Sequence, residues 1–277
     1  MNQPADEPHV ESDAKPGTDS SPKQRADGRV ALGYGSAWHL LRFLGWHREY
    51  FSKQVAETTG AENVVWLDFP PLSQKNKKER IYTTEAPVRD SEWERLNFID
   101  GGNVQAEYNK FWPIRGSQQN WDAIGKATFS QQSQQEWLLV EAKAHINEVK
   151  SRGTRAKGDS LNRIRAAFRE ALEKLGHPTE KATRLAPNWL KCYYQHANRI
   201  ATLHFLIEHG IPAQLVFVCF CGDWPGKSRT CPASRQAWEE TLGCVKSSLG
   251  LGGTSELEQR IHNVFIDVNC RAEKGQT

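Results

Sequence analysis

The sequence predicts a mixed α/β fold, with a central sheet covered by helices on both faces. Segment 213–220 (AQLVFVCF) is apolar on both faces of a strand, so both faces need cover. Helical patterns with an apolar side occur at 159–175 and 187–209, before that strand and after others. The composition is that of a globular protein, 38% hydrophobic and 25% charged, and 277 residues can bury a large core without disulfides.

The first 28 residues differ in composition from the rest of the chain. Residues 1–28 are rich in Pro, Ser, Asp and Gly and contain almost no large apolar side chain, so we expect a disordered tail. Residues 29–277 are expected to form a single domain with its core at about 90–222. No segment approaches the ~20 apolar residues that cross a bilayer, and no signal peptide is recognisable. We expect a cytoplasmic protein with reduced cysteines and no membrane contact.

Start and stop signals divide the domain into alternating elements. Ser36 is expected to cap the first helix, and Pro187 to lie near the start of the last. Helices are predicted at 36–55, 91–99, 159–175 and 187–209. Strands are predicted at 64–69, 120–128, 136–144, 213–220 and 263–268.

The stretch WLLVEAKAH at 137–145 ends an apolar strand with two opposite charges. Because side chains alternate across a strand, Glu141 and Lys143 share one face with Leu139. Their charges therefore point to the side of the sheet that should be apolar.

The preceding strand brings a second carboxylate towards this pair. Strands 120–128 and 136–144 are expected to form an antiparallel hairpin around the polar loop FSQQSQQ. If paired residues sum to 263, Asp122 faces Glu141, with β-carbons roughly 4.5–5.5 Å apart. A sum of 264 would put the two carboxylates on opposite faces. We predict the first register.

Two adjacent carboxylates on apolar strands repel each other unless one is protonated or a cation lies between them. Hard oxygen ligands suit Mg²⁺ or Mn²⁺. Lys143 would then hold a scissile phosphate, or orient or deprotonate a water, and its pKa is expected to fall through burial and the cation. In the alternative interpretation, Glu141 and Lys143 form a salt-bridged strand end that reaches solvent, and Asp122 is an unrelated turn residue.

The stretches WDAIG, WLLVEAK and QHANR, in this order before a buried strand, resemble the PD-(D/E)XK nuclease superfamily, which has the restriction-endonuclease-like fold. The resemblance covers about residues 90–222. It implies a mixed central sheet flanked by helices and a metal-dependent hydrolase of phosphodiester bonds. The expected partner is nucleic acid, with DNA favoured over RNA, and a homodimer is left open.

The resemblance also implies roles for individual residues. Asp122 and Glu141 match the two acids that bind Mg²⁺ (or Mn²⁺), and Lys143 matches the catalytic lysine. The carbonyl of Ala142 matches a further metal ligand. Trp121 stands where the family's proline would be.

The helix 187–209 carries a narrow polar stripe. Gln195 is expected to orient an active-site carboxylate or water, as a polar helix residue often does in this superfamily. Asn198 and Arg199 are expected to contact phosphate. The alternative is a solvent-facing side of an amphipathic helix. Glu94, on the helix predicted at 91–99, is either a further acid of the site or a surface residue.

Basic residues cluster just after the charged strand end. Between 150 and 169 the chain carries seven Lys or Arg and a single acid. Arg152, Arg155 and Lys157 are expected to bind a phosphate backbone, in a mobile substrate-binding loop or otherwise as part of a solvated surface. The net charge of +3 neither requires nor excludes nucleic acid. The rival to the nuclease is a catalytically inactive nucleic-acid-binding module with the same fold.

Overall fold

The structure is a computed structural model that describes residues 33–67, 93–99, 103–114, 119–130, 135–224, 226 and 229–269. The predicted tail, 1–28, lies outside these residues, as does Cys270. Within the described ranges the other five cysteines are free thiols. No helix of the described part is both long and apolar enough to cross a membrane.

Within the described ranges, seven strands form two sheets. The strands are β1 (Asn63–Trp66), β2 (Trp93–Glu94), β3 (Asn120–Trp121), β4 (Ala123–Thr128), β5 (Glu136–Lys143), β6 (Ala213–Cys221) and β7 (Ile261–Asp267). The main sheet has the order β1-β4-β5-β6-β7, and β2 pairs with β3 in a short separate ladder. The first two pairings of the main sheet are antiparallel and the last two are parallel. The prediction of a mixed α/β sheet is confirmed.

The helices of the described part are α1 (Ser36–Trp46), α2 (Arg48–Thr59), α3 (Val104–Phe111), α4 (Ile146–Val149), α5 (Gly158–Lys174), α6 (Thr179–Trp189), α7 (Tyr194–Glu208), α8 (Arg235–Leu249) and α9 (Glu256–Gln259). Helices α4 to α7 connect β5 to the parallel strand β6, and α8 and α9 connect β6 to β7. Long helical connections are what parallel neighbours require.

Alternating side chains of the sheet enter two separate cores. Leu138 and Val140 of β5 pack in a cluster with Phe43 of α1 and Phe51 of α2. Leu139, on the opposite face, belongs to a second cluster, which the helices from α5 to α8 share. Helices therefore cover both faces, as the doubly apolar strands predict.

Three predicted helices differ from the structure. The helix expected at 36–55 is divided at His47, and Gly35 rather than Ser36 occupies its N-cap position. The helix expected at 91–99 is wrong: residues 93–94 pair as a strand with 120–121, and Arg95 has a left-handed φ of 49° that no α-helix accommodates.

The helix expected at 187–209 is two helices, α6 and α7. Pro187 lies inside the last turn of α6, and α7 begins only at Tyr194. The break has a hydrogen-bonding cause. The carbonyls of Leu190 and Cys192 accept the N–H groups of Thr154 and Ser151, so they bond outside the helix.

Candidate active site

The register of β4 on β5 brings Asp122 to the end of β5. Ala123 pairs with Val140 and Ile124 with Leu139, so paired residues sum to 263 as predicted. Asp122 forms the bend between β3 and β4, and its N–H donates to the carbonyl of Val140 at 3.0 Å. Its Oδ2 accepts the N–H of Ala142 at 2.6 Å. The first predicted acid therefore lies against the Glu-x-Lys stretch.

Glu141 and Lys143 share a face and contact each other. The Lys143 Nζ lies 2.5 Å from Glu141 Oε1, and both residues are buried, 6% and 4% exposed. The alternative in which this pair reaches solvent is therefore wrong. An ion pair removed from water needs further partners to compensate for its lost hydration.

Arg199 of α7 supplies that compensation. Its Nε and Nη2 lie 2.9 and 2.7 Å from Glu141 Oε2, so the carboxylate is held by one cation at each oxygen. The same guanidinium donates to Asn198 Oδ1 at 3.0 Å and to the carbonyl of Asn120 at 2.6 Å. It also lies 4.8 Å above the centroid of the Trp121 ring.

The prediction that Asn198 and Arg199 contact phosphate does not fit this arrangement. Both residues are 6% exposed. The guanidinium donates hydrogen bonds to Glu141, Asn198 and Asn120 and lies over the Trp121 ring. Helix α7 is buried on all sides from residue 196 to 206, so its polar stripe does not face solvent either. The stripe faces the charged end of the sheet because a buried acid there needs a counter-ion.

A hydrogen-bonded network continues the stripe. Thr202 contacts Gln119 and the Tyr108 hydroxyl, which also bonds Gln119. Gln119 Nε2 donates to the Asn198 carbonyl at 3.3 Å. The segment that carries Asp122 is thus joined to the helix that carries Arg199.

Gln195 is close to the ion pair. It lies in the first turn of α7, half-buried, with Oε1 3.3 Å from Lys143 Nζ. The predicted contact of Gln195 is therefore to the lysine, at the long end of hydrogen-bond distances, and no carboxylate contact is found for it among the described residues.

The protonation of the pair follows from its neighbours. Burial acts to raise the pKa of Glu141, but the Arg199 guanidinium and the Lys143 ammonium outweigh it and hold that pKa well below its usual range. Burial acts to lower the pKa of Lys143, yet the carboxylates of Glu141 and Asp122 hold it above its ordinary value. Burial therefore does not lower the Lys143 pKa as predicted, and with these neighbours Lys143 is an ammonium donor.

A third acid next to the site was missed by sequence reasoning. The Oε2 atom of Glu148, on α4, accepts the N–H of Ala144 at 2.6 Å, and its Oε1 atom accepts the Ser36 hydroxyl at 3.2 Å. The His145 Nε2 atom lies 3.3 Å from the same Oε1. The negative charge of Glu148 contributes to the raised pKa of Lys143. The available signal was its position, five residues after the lysine at the end of an apolar strand.

The basic residues line a well-anchored segment, which we call the basic segment (150–157). Arg152, Arg155 and Lys157 are exposed. Two backbone hydrogen bonds tie the segment to residues 190–192. Gly153 (φ +77°) passes so close that a β-carbon would lie 2.4 Å from the Leu190 carbonyl oxygen. The backbone hydrogen bonds at Ser151 and Thr154 and the close approach at Gly153 do not match the predicted mobile loop.

The tryptophans nearest to Asp122 in sequence, Trp121 and Trp112, serve packing. Trp121 is fully buried, and its indole N–H donates to the Arg95 carbonyl at 2.7 Å. Trp112 is 6% exposed. Glu94 lies in β2 rather than on a helix, and its backbone pairs with Asn120.

The oxygen atoms at this end of the sheet are of the type that binds a hard divalent ion. Their present contacts, however, do not form a metal site. Asp122, Glu141 and the Ala142 carbonyl supply oxygen ligands, which Mg²⁺ prefers together with several waters. Both oxygens of Glu141 already contact cations. Across the described ranges no three His, Cys, Asp or Glu side chains form a group that could hold a metal. Two carboxylates and a carbonyl are therefore all that these residues offer.

Comparisons with family models, with curated proteins and with solved structures return no match for this chain.

Proposed function

We propose that this chain is a divalent-metal-dependent nuclease that hydrolyses phosphodiester bonds, with DNA as the favoured substrate. One observation carries the proposal: the β4–β5 register puts Asp122 against Glu141-Ala142-Lys143, in the order of the PD-(D/E)XK resemblance. A buried Glu141–Lys143 pair beside the half-buried Asp122 is costly to maintain, and structural packing alone does not need it.

The residues divide the work as follows. Asp122, Glu141 and the Ala142 carbonyl would hold the ion, which when bound polarises a phosphoryl oxygen. Lys143 remains protonated, because the surrounding carboxylates raise its pKa. It therefore donates to a phosphate oxygen or to a water molecule rather than removing a proton.

Two groups support these residues from outside. Gln195 lies 3.3 Å from Lys143 Nζ and restricts the direction of the ammonium. Arg152, Arg155 and Lys157 are exposed on the basic segment, which follows β5 after the short helix α4. Their charges suit a phosphate backbone, whose binding weakens with salt.

The second candidate is a nucleic-acid-binding module without catalytic activity. One observation favours it: Lys143 and Arg199 each contact one oxygen of the Glu141 carboxylate, so both oxygens already have a cationic partner. This candidate predicts DNA binding that is unaffected by Mg²⁺ and by Lys143→Ala.

Cleavage of a mixed panel of plasmid and oligonucleotide substrates tests the proposal. The wild type is compared with Asp122→Ala and Lys143→Ala, with and without Mg²⁺. Lys181→Ala is the matched control, because Lys181 is an exposed lysine on α6. We expect Mg²⁺-dependent cleavage by the wild type and the control and a loss in both site variants. Equal activity in all four proteins would remove the proposed roles.

A further inference from the structure

Trp224, in the loop that follows β6, is the most exposed large apolar side chain of the described part, at 80% exposure. Tryptophan is usually buried over most of its surface, because the indole ring is large and mainly apolar. A single exposed apolar residue needs no explanation by itself, however. What Trp224 can bind therefore depends on how it is held and on what lies around it.

The backbone at Trp224 is held by a buried carboxylate. Asp223 Oδ1 accepts the N–H of Trp224 at 2.8 Å, and Asp223 Oδ2 accepts the N–H of Gly35 at 2.9 Å. The Nε2 atom of His39, on α1, lies 2.9 Å from Asp223 Oδ1. The indole is thus exposed to solvent on a backbone that is fixed to the start of α1.

The loop that carries Trp224 lies at the same end of the sheet as Lys143. Strands β5 and β6 are parallel, Lys143 pairs with Cys219, and Trp224 comes three positions after β6 ends. Further along this loop, the Thr230 carbonyl accepts the N–H of Ile146 at 3.0 Å. Because Ile146 follows Lys143 by three positions, the loop adjoins the chain that leaves the charged end of β5.

Trp224 and the basic segment are anchored on opposite faces of the sheet. Backbone hydrogen bonds tie the basic segment to residues 190–192, just before α7, and α7 covers the face that carries Glu141. The loop of Trp224 is tied to α1, which belongs to the core cluster of the other face. A strand of nucleic acid that contacts both features would cross the end of the sheet at Lys143.

We propose that Trp224 stacks on an unpaired base of a strand whose phosphates lie on the basic segment, so that the nucleic acid bound at this end of the sheet is single-stranded. Every base has a flat face that can stack on an aromatic ring, so this contact requires no particular sequence. In a duplex those faces are covered by the neighbouring base pairs. The inference rests on the nucleic-acid partner of the proposed function, and it adds the class of strand.

Substitutions of Trp224 remove the ring without changing a charge. Trp224→Ala deletes the stacking surface, whereas Trp224→Phe keeps an aromatic face. Trp46→Ala is the matched control, because Trp46 is 60% exposed and ends α1, about 15 Å along that helix from its start. Thermal unfolding verifies that the variants are folded, as the exposure of both indoles leads us to expect.

Two labelled strands with the same number of phosphates test the proposal: an oligothymidylate and an abasic strand. Fluorescence anisotropy in EDTA measures their binding without divalent ions. We expect the wild type and Trp46→Ala to bind the oligothymidylate at least about fivefold more tightly than the abasic strand. Trp224→Ala should lose this preference, and Trp224→Phe should retain most of it.

A duplex and the salt dependence separate stacking from charge. Trp224→Ala should bind duplex DNA as the wild type does, because paired bases do not reach the indole. The slope of log K against log salt for the oligothymidylate should also stay the same, because Trp224→Ala removes no phosphate contact. An equal loss of affinity for duplex and oligothymidylate would contradict base stacking.

Equal wild-type affinity for the oligothymidylate and the abasic strand would overturn the inference, even if the protein cleaves DNA. A base preference that depends on Trp224, in a protein that does not cleave DNA with Mg²⁺, would instead support the inference and contradict the nuclease proposal. Binding to none of these nucleic acids would overturn both.

Discussion

The Nζ atom of Lys143 lies 2.5 Å from Oε1 of Glu141, and both side chains are removed from water. This contact fixes the charge state of the lysine as well as its position. Because neighbouring carboxylates raise the pKa of Lys143, the ammonium persists at the pH at which enzymes usually work. The lysine is then a source of positive charge and of hydrogen bonds, and it is not a proton acceptor.

Lys143→Arg and Lys143→Gln distinguish these two roles. Arginine retains the charge but cannot be deprotonated, so Lys143→Arg should keep activity at least about tenfold above that of Lys143→Gln. Single-turnover cleavage rates with Mg²⁺ measure the difference, and equilibrium unfolding verifies that both variants are folded. Equal inactivity of the two variants would favour a lysine that acts as a base.

Glu141→Gln should destabilise the protein strongly at neutral pH. The substitution leaves Lys143 and Arg199 buried without their shared carboxylate, which costs about 3–5 kcal/mol. Because the folded-state pKa of Glu141 is depressed, its contribution is present above the unfolded value near 4.5 and is lost as pH falls towards about 2.

Denaturant unfolding at several pH values checks this dependence. The difference in unfolding free energy between the wild type and Glu141→Gln should be largest at pH 7 and should decrease between about pH 4.5 and pH 2. Glu180→Gln, on the exposed side of α6, is the control and should change little. A gap that stays constant across that range would show that the Glu141 charge is not what stabilises the fold.

Gly153→Ala should disturb the basic segment, and Gly158→Ala is its matched control. Both glycines have positive φ angles, +77° and +54°, so alanine costs about 1–3 kcal/mol of backbone strain at either position. Only at Gly153 does the added β-carbon also collide, 2.4 Å from the Leu190 oxygen. We therefore expect a larger loss of unfolding free energy and weaker DNA binding for Gly153→Ala. Equal effects of the two substitutions on DNA binding would show that the conformation of the basic segment does not affect DNA binding.

Neutralising Arg152, Arg155 and Lys157 together, each to Gln, should weaken duplex DNA binding and its salt dependence. Each phosphate contact contributes about 0.9 to the slope of log K against log salt, so three contacts contribute about 2.7. Fluorescence anisotropy at several salt concentrations measures the slope. The control removes three exposed cations elsewhere, Lys181, Arg184 and Lys246, and an equal fall in slope there would mean that binding is not localised to the basic segment.

The sheet and its register could be predicted because they depend on local pattern. Alternation along 137–143 fixes which side chains share a face, and the doubly apolar strand 213–220 requires helices on both sides. These features brought Asp122 and Glu141 together in the expected register.

The partners of the acids could not be predicted in the same way. Arg199 is 58 positions from Glu141, and nothing local indicates that its guanidinium turns inward. The division of 187–209 into two helices depends on hydrogen bonds from residues 151 and 154, which lie 41 and 36 positions before their acceptors Cys192 and Leu190. Tertiary contacts of this kind override local propensity.

The most direct test is the position of a Mn²⁺ ion in crystals of Lys143→Gln with a DNA oligonucleotide, measured by anomalous scattering at the manganese edge. We expect Lys143→Gln to slow cleavage while it keeps both acids. We predict an anomalous peak in contact with Asp122, Glu141 and the Ala142 carbonyl, next to a phosphate. Bound DNA with no manganese at these residues would contradict the nuclease account and favour the inactive binding module.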